Sequence, residues 1–248
     1  MLSKTAVKYI QSLTHKKFRD ENGIFLAEGP KVVEEIISSG KCICKNLYGL
    51  QDYFDSNKDF FQKNKINFIC ITEIELEKIS LLKKPNKVLG LFYKLKTITN
   101  SNYKEGITLI LDEISDPGNM GTIIRIADWF DIKNIICSLK CVDVYNPKVI
   151  QSSMASIARI NIVYSDLISF IEQHTAIPLF AATLDGNHFN EITEQKNCFV
   201  MIGNEANGIH DDLLQKATQK ISIPRFGKAE SLNAAVATGI ILSSIKNK

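Results

Sequence analysis

Residues 111–125 read LDEISDPGNMGTIIR, and the order of residue types in that stretch decides the fold. An apolar run ends at Leu111, Pro117 and Gly118 make a turn, and a helical pattern begins near Asn119. A strand that hands over directly to a helix is the unit of a parallel, helix-covered sheet. Outward from it the unit recurs, with apolar runs at 108–111, 134–137, 160–163, 178–182, 199–202 and 220–223 and helical patterns between most of them. Runs this rich in Ile and Val predict strands buried on both faces.

In open parallel sheets ligands bind beyond the C-terminal ends of the strands, so the loops after these runs carry the candidates. In the first, Gly118 and Gly121 let a backbone come close and Asn119 presents an amide at the helix start. Arg125 lies about one and a half turns further on. Alone, this is a phosphate-binding turn or a tight turn with a surface arginine. The second loop, GNEANG at 203–208, sets Glu205 between two glycines, where a carboxylate can position a substrate or orient the arginine, or simply occupy a turn. The third, ISIPRFGKAESLNAAVATG at 221–239, passes Pro224 and Gly227 and enters a helix for which Ser231 is the expected N-cap. Asn233 is a poor residue for a first helical turn, which favours a hydrogen-bonding role. Neither GxGxxG nor a Walker loop is present.

The N-terminal part alternates differently. A helix over 3–19 leads to a strand at 24–27 and a helix that opens at Pro30, carries Val32, Val33, Ile36 and Ile37 on one stripe, and stops at Gly40. A strand over 42–50, a helix over 52–63, a strand over 68–71, a helix begun by Thr72 and Glu75 in capping-box spacing, and a strand over 88–93 complete a small α/β sandwich. The polar stretch KLKTITNSNYKEG reads as a connection. The expected division is therefore 1–95, a linker at 96–105, and 106–248.

Of the 248 residues, 45% are hydrophobic and 23% charged, which excludes disorder, collagen and coiled coil. No apolar run reaches the ~18–20 residues of a membrane span, and the N-terminus reads as an amphipathic helix and not a signal peptide, so the expected location is cytoplasmic. The net charge is +3. Most of the positive excess lies in the first 105 residues, as expected if that part docks a polyanion; lysine-rich composition with a solvated surface explains it equally. The six cysteines form no CxxC pair and read as reduced core residues. The four histidines are far apart, and no metal is expected.

Taken together and in order, NMGTIIR (119–125), GNEANGI (203–209) and IPRFGKAESLN (223–233) resemble the three motifs of the SpoU, or TrmH-like, RNA 2'-O-ribose methyltransferases. FLAEGPKVVEEII resembles the start of the substrate-binding domain that many members carry. The resemblance implies an α/β knot, a parallel sheet whose C-terminal segment is threaded into a deep trefoil, behind a small α/β RNA-binding domain. It implies S-adenosyl-L-methionine held by Thr183, Leu184, Gly203, Ile223 and Leu232, and a catalytic set of Arg125, Asn119, Glu205, Ser231 and Asn233. It also implies a homodimer packed through the helix at 232–245. RNA, and not DNA or a membrane, is the expected polyanion, with ribosomal RNA first and transfer RNA second. Lys4, Lys8, Lys16, Lys17, Arg19 and Lys31 are the docking candidates, and Arg225 is an extra phosphate contact. Arg225, Phe226, Ala234, Ala235 and Ala206 depart from the usual pattern but leave the key positions intact. A non-catalytic RNA-binding or ribosome-assembly protein of the same fold stays open as the alternative.

Overall fold

The protein is described by a computed structural model that covers residues 1–98, 101–188 and 197–246. Two residues of the expected linker, 99 and 100, lie outside that range. The chain packs into two compact units. The first is Met1–Lys96 with Asp143–Arg159, and the second is Thr97–Val142 with Ile160–Lys248. The segment 143–159 thus packs with the first unit although its sequence lies within the stretch expected for the second.

In the first unit the expected N-terminal helix is two helices, α1 (Lys4–Ser12) and α2 (Lys16–Asn22). The break exposes the carbonyls of Leu13 and Thr14, and the Arg19 guanidinium accepts the task of satisfying them, donating at 2.9 and 2.7 Å. Strand β1 (Ile24–Glu28), helix α3 (Pro30–Ser38) and strand β2 (Cys44–Gly49) follow. The single helix expected over 52–63 is split into α4 (Gln51–Ser56) and α5 (Lys58–Lys63). Strand β3 (Phe68–Cys70), helix α6 (Glu73–Ile79) and strand β4 (Val88–Tyr93) complete a mixed sheet of order β1-β4-β2-β3. α6 opens with the full capping box, Thr72 and Glu75 each bonding the other's backbone N–H. One face of the sheet buries Ile10, Leu13, Leu26, Leu76 and Leu91. On β1, Phe25 meets Phe92 and Tyr145 at 5.6 and 5.1 Å between ring centroids, and helix α8 (Pro147–Ser153) packs on the same strand.

The second unit holds β5 (Ile107–Leu111), α7 (Pro117–Trp129), β6 (Asn134–Ser138), β7 (Asn161–Ser165), α9 (Leu167–Glu172), β8 (Leu179–His188), β9 (Cys198–Ile202), α10 (Asp211–Leu214), β10 (Gln219–Ser222) and α11 (Ala234–Lys246). Its strands form a parallel sheet of order β10-β8-β9-β5-β6-β7. Burial on both faces holds for β5 and β9, whereas the edge strands β7 and β10 are partly exposed. The chain runs outward through β5, β6 and β7, crosses to the other half, reaches the β10 edge, and then returns to pack α11 on α7. That return across the sheet is the layout on which the expected trefoil rests. All six cysteines are free, but Cys70 is exposed and Cys44 half-buried, so the core reading fits only the other four. Among the described residues, no helix is long and apolar enough to cross a membrane.

Candidate active site

The three motif loops leave β5, β9 and β10, all at the C-terminal ends of neighbouring or near-neighbouring strands. After β5, the helix starts earlier than the sequence suggests. Asp116 is the N-cap and accepts from Asn119 N–H at 2.8 Å, with Pro117 in the first turn. Because Asp116 satisfies that backbone donor, the Asn119 side chain is left for other partners. Its Nδ2 donates to Glu205 Oε1 at 2.6 Å, and its Oδ1 accepts from Asn233 Nδ2 at 2.8 Å.

After β9, the loop is pinched shut. Asn204 and Gly208 exchange both backbone hydrogen bonds at 2.9 Å, Gly208 has φ +71°, and a Cβ on Gly203 would stand 2.3 Å from the Gly208 carbonyl carbon. Asn204, which reads in the sequence only as a turn residue, is the pin of this loop. Its Oδ1 accepts from Ala206 and Asn207 N–H, and its Nδ2 donates to the Glu113 carbonyl at 2.8 Å. Glu205 is thereby presented outward between the two glycines.

After β10, the expected cap moves. α11 begins at Ala234, and Asn233 is its cap, with Oδ1 accepting from Ala235 and Val236 N–H at 2.9 and 3.2 Å. Ser231 lies two residues before it, exposed, in the loop. The short amide side chain of Asn233 thus both starts the helix and reaches Asn119.

A second contact locks the same region. His210, at the end of the GNEANGI loop, donates its backbone N–H to Asp112 Oδ2 at 3.0 Å and holds the same oxygen with Nδ1 at 2.8 Å. Glu113 lies 3.6 Å from His210 Nε2 and is paired with Lys140 at 2.5 Å. Asp112 is almost wholly buried, and its bond and charge push the His210 imidazole above its ordinary range, while Lys140 holds the Glu113 carboxyl below its own. Asp112, Glu113 and His210 converge within 4.8 Å, and in the structure they bind one another and Lys140. The separation of 98 positions between Asp112 and His210 hides this pair from sequence reading.

Beside the hydrogen-bonded run lies a cavity of about 710 Å³, within the ordinary size of a small-molecule site. Thr183, Leu184, Gly203, Ile223 and Leu232 all line it, as do Glu205 and Ser231. Ile202, Ile223 and Ile241 give it apolar walls. The Thr183 hydroxyl is buried and, among the described residues, lacks a hydrogen-bond partner, which leaves a polar group for a bound molecule to satisfy. An apolar-walled cavity with backbone groups and one orphaned hydroxyl fits a ligand that joins a flat apolar ring to a polar chain.

Arg125 is not brought into this arrangement. It is exposed, does not line the cavity, and among the described residues no group pairs with it. It shares its stripe of α7 with Trp129, which is 84% exposed. Of the docking candidates, Lys4, Lys8, Lys16, Lys17 and Lys31 are exposed, with Lys16 and Lys17 paired to Asp20 and Glu21 along their own helix. Arg19 is corrected: it is 2% exposed and spent on Leu13, Thr14 and Asp143, whose carboxylate it holds at 2.6 Å, so no phosphate can reach it. Arg225 is exposed.

Comparison with known proteins follows the same division. Residues 4–90 match the MRM3-like substrate binding domain model, and residues 106–243 match the SpoU rRNA Methylase family model. Over 97% of its length the chain is 26% identical to the 23S rRNA (guanosine(2553)-2'-O)-methyltransferase RlmP of Bacillus subtilis, covering 95% of that protein. An AdoMet-bound rRNA methyltransferase from Sinorhizobium meliloti has 29% identity and a TM-score of 0.89, over 100% of this chain and 97% of that one. A TrmH-family protein from Porphyromonas gingivalis has 30% identity and a TM-score of 0.87, over 100% and 99%. A match that runs unbroken through all three loops leaves one reading of the second unit: the chain belongs to the SpoU rRNA methylase family.

Proposed function

We propose that the protein is an RNA 2'-O-methyltransferase, moving a methyl group from S-adenosyl-L-methionine to a ribose 2'-hydroxyl, of ribosomal RNA first and transfer RNA second. The observation that carries this reading is the run Glu205–Asn119–Asn233, which ties three loops together beside the cavity. The 2'-O reaction of the Bacillus subtilis relative supports the same chemistry. S-adenosyl-L-methionine is the cofactor, and when bound it supplies an electrophilic sulfonium methyl. Of the residues lining the cavity, Ile223 and Leu232 would flank its apolar part, while Thr183, Leu184 and Gly203 would offer polar and backbone groups.

In-line transfer needs the reacting atoms held about 3–3.5 Å apart and the hydroxyl proton removed. Asn119 and Asn233 orient the ribose, Glu205 fixes the Asn119 amide, and Ser231 shapes the loop before α11. A guanidinium stays charged, so Arg125 serves as an anchor and not as a base. It holds a substrate phosphate, steers the hydroxyl, and lets the phosphate take the proton. Since Arg125 stands outside its own cavity and beside exposed Trp129, we place it at the cavity of a second copy in a homodimer. Residues 1–95 dock the RNA through Lys4, Lys8, Lys16, Lys17 and Lys31, and 106–248 carry the chemistry, in the cytoplasm.

The test is transfer of labelled methyl to total RNA from a strain lacking the protein, followed by alkaline hydrolysis. Label in alkali-resistant dinucleotides supports ribose transfer, and size separation then chooses the RNA. Label released as mononucleotides would mean base methylation and overturn the reading. Arg125→Ala should lose at least about 10²-fold in transfer while still binding the cofactor.

A further inference from the structure

Phe226 is the most exposed aromatic side chain among the described residues, at 98%, and it lines the mouth of the cavity. Burying a phenylalanine is favourable, so one left wholly in water at the edge of a ligand site offers a ready surface to a partner. It takes no part in the core of the chain, since it lies in the segment between β10 and α11 that has no helix or strand. Its neighbours indicate the partner's chemistry. Arg225 precedes it and Lys228 follows two residues later, both are exposed, and among the described residues neither has a hydrogen bond or ion pair. The one carboxylate of the segment, Glu230, comes later. A flat apolar ring between two unpaired cations is complementary to a polymer of flat bases joined by phosphates, since stacking accepts any base and the cations take the backbone.

We propose that Phe226 is a stacking platform for a nucleobase of the RNA at the cavity mouth, with Arg225 and Lys228 contacting the phosphates on either side. The platform holds an unpaired nucleotide, because a base within a duplex offers no free face. This rests on the RNA reading of the cavity, and it adds a demand on the substrate: a nucleotide at or beside the methylated one is splayed out of its helix.

The full chain, with S-adenosyl-L-methionine present, is titrated against a fluorescein-labelled single-stranded RNA 12-mer of mixed sequence. Phe226→Ala and Phe226→Leu should weaken binding by about five- to a hundredfold, while Phe226→Trp stays within about twofold, the range expected of one stacked base. Arg225→Ala and Lys228→Ala should each lower the salt slope by about one. In turnover with total RNA, Phe226→Ala should raise KM for RNA more than it lowers kcat. Unchanged RNA binding by Phe226→Ala, or full binding by Phe226→Leu, overturns the stacking platform. A change of light-scattering mass in Phe226→Ala overturns it in favour of a contact between copies. If wild-type protein transfers methyl and only the Phe226 effects are missing, the platform falls alone; if wild type neither binds nor methylates RNA, both readings fall.

Discussion

His210 and Asp112 show how one pair of side chains can set a loop. Asp112 is buried and already accepts the His210 backbone N–H, so the loop is pinned whether or not the imidazole is charged, and the imidazole adds a second hold that depends on its charge. Asp112 and, less strongly, Glu113 favour the cationic ring, desolvation and Lys140 oppose it, and the net direction is upward. A base whose folded pKa is raised gives its full stabilisation below the unfolded value, near 6.5, and loses it as pH climbs through the folded value. Melting temperatures of wild type and His210→Gln, measured from pH 5.5 to 8.5, should therefore differ most at the acid end and converge above. A constant difference would mean that the imidazole acts only as a neutral donor. The catalytic candidates Asn119, Glu205 and Asn233 are legible in the sequence because they belong to ordered motifs. Asn204 and the His210–Asp112 pair are not, because their roles depend on partners brought in from β5.

At the scale of elements, a helix start written wholly in a local pattern was legible, whereas starts set by tertiary contacts, as at α7 and α11, and helix continuity were not. The capping box at Thr72 and Glu75 is a local pattern whose two hydrogen bonds need nothing else, and both are present. Thr72→Ala removes the acceptor for the Glu75 N–H and should cost about 1 kcal/mol, read as a lower urea midpoint with an unchanged slope. By contrast the apolar period of residues 3–19 runs straight through the gap between α1 and α2. What ends α1 is tertiary: Arg19 folds back onto the carbonyls of Leu13 and Thr14 and pairs with Asp143, 124 residues away. The same limit applies at α11, where Ser231 and Asn233 are both acceptable caps and the second, which caps the helix, also reaches Asn119.

For the whole molecule, the six parallel strands were legible from runs of Ile and Val, but their order was not, since nothing local states which strands are neighbours. The outer faces of the second unit carry the next expectation. Val236 and Ile240 stand one turn apart on α11 and are exposed, as is Trp129 on α7, on which α11 packs. With these covered by a second copy, light scattering at micromolar concentration should give a dimer, and Val236→Lys, at a half-exposed position, should shift it to monomer. A monomeric wild type would overturn the dimer. Assignment of 143–159 was beyond sequence reading, because α8 has the same amphipathic look whichever sheet it covers. Its placement on β1 bears on how the protein is made. The first unit borrows its last helix, and the carboxylate that neutralises buried Arg19, from chain that emerges only after β5, α7 and β6. At synthesis rates of about 5–20 residues per second, the nascent N-terminal sheet waits several seconds with one flank bare, until the first elements of the unit translated after it have emerged.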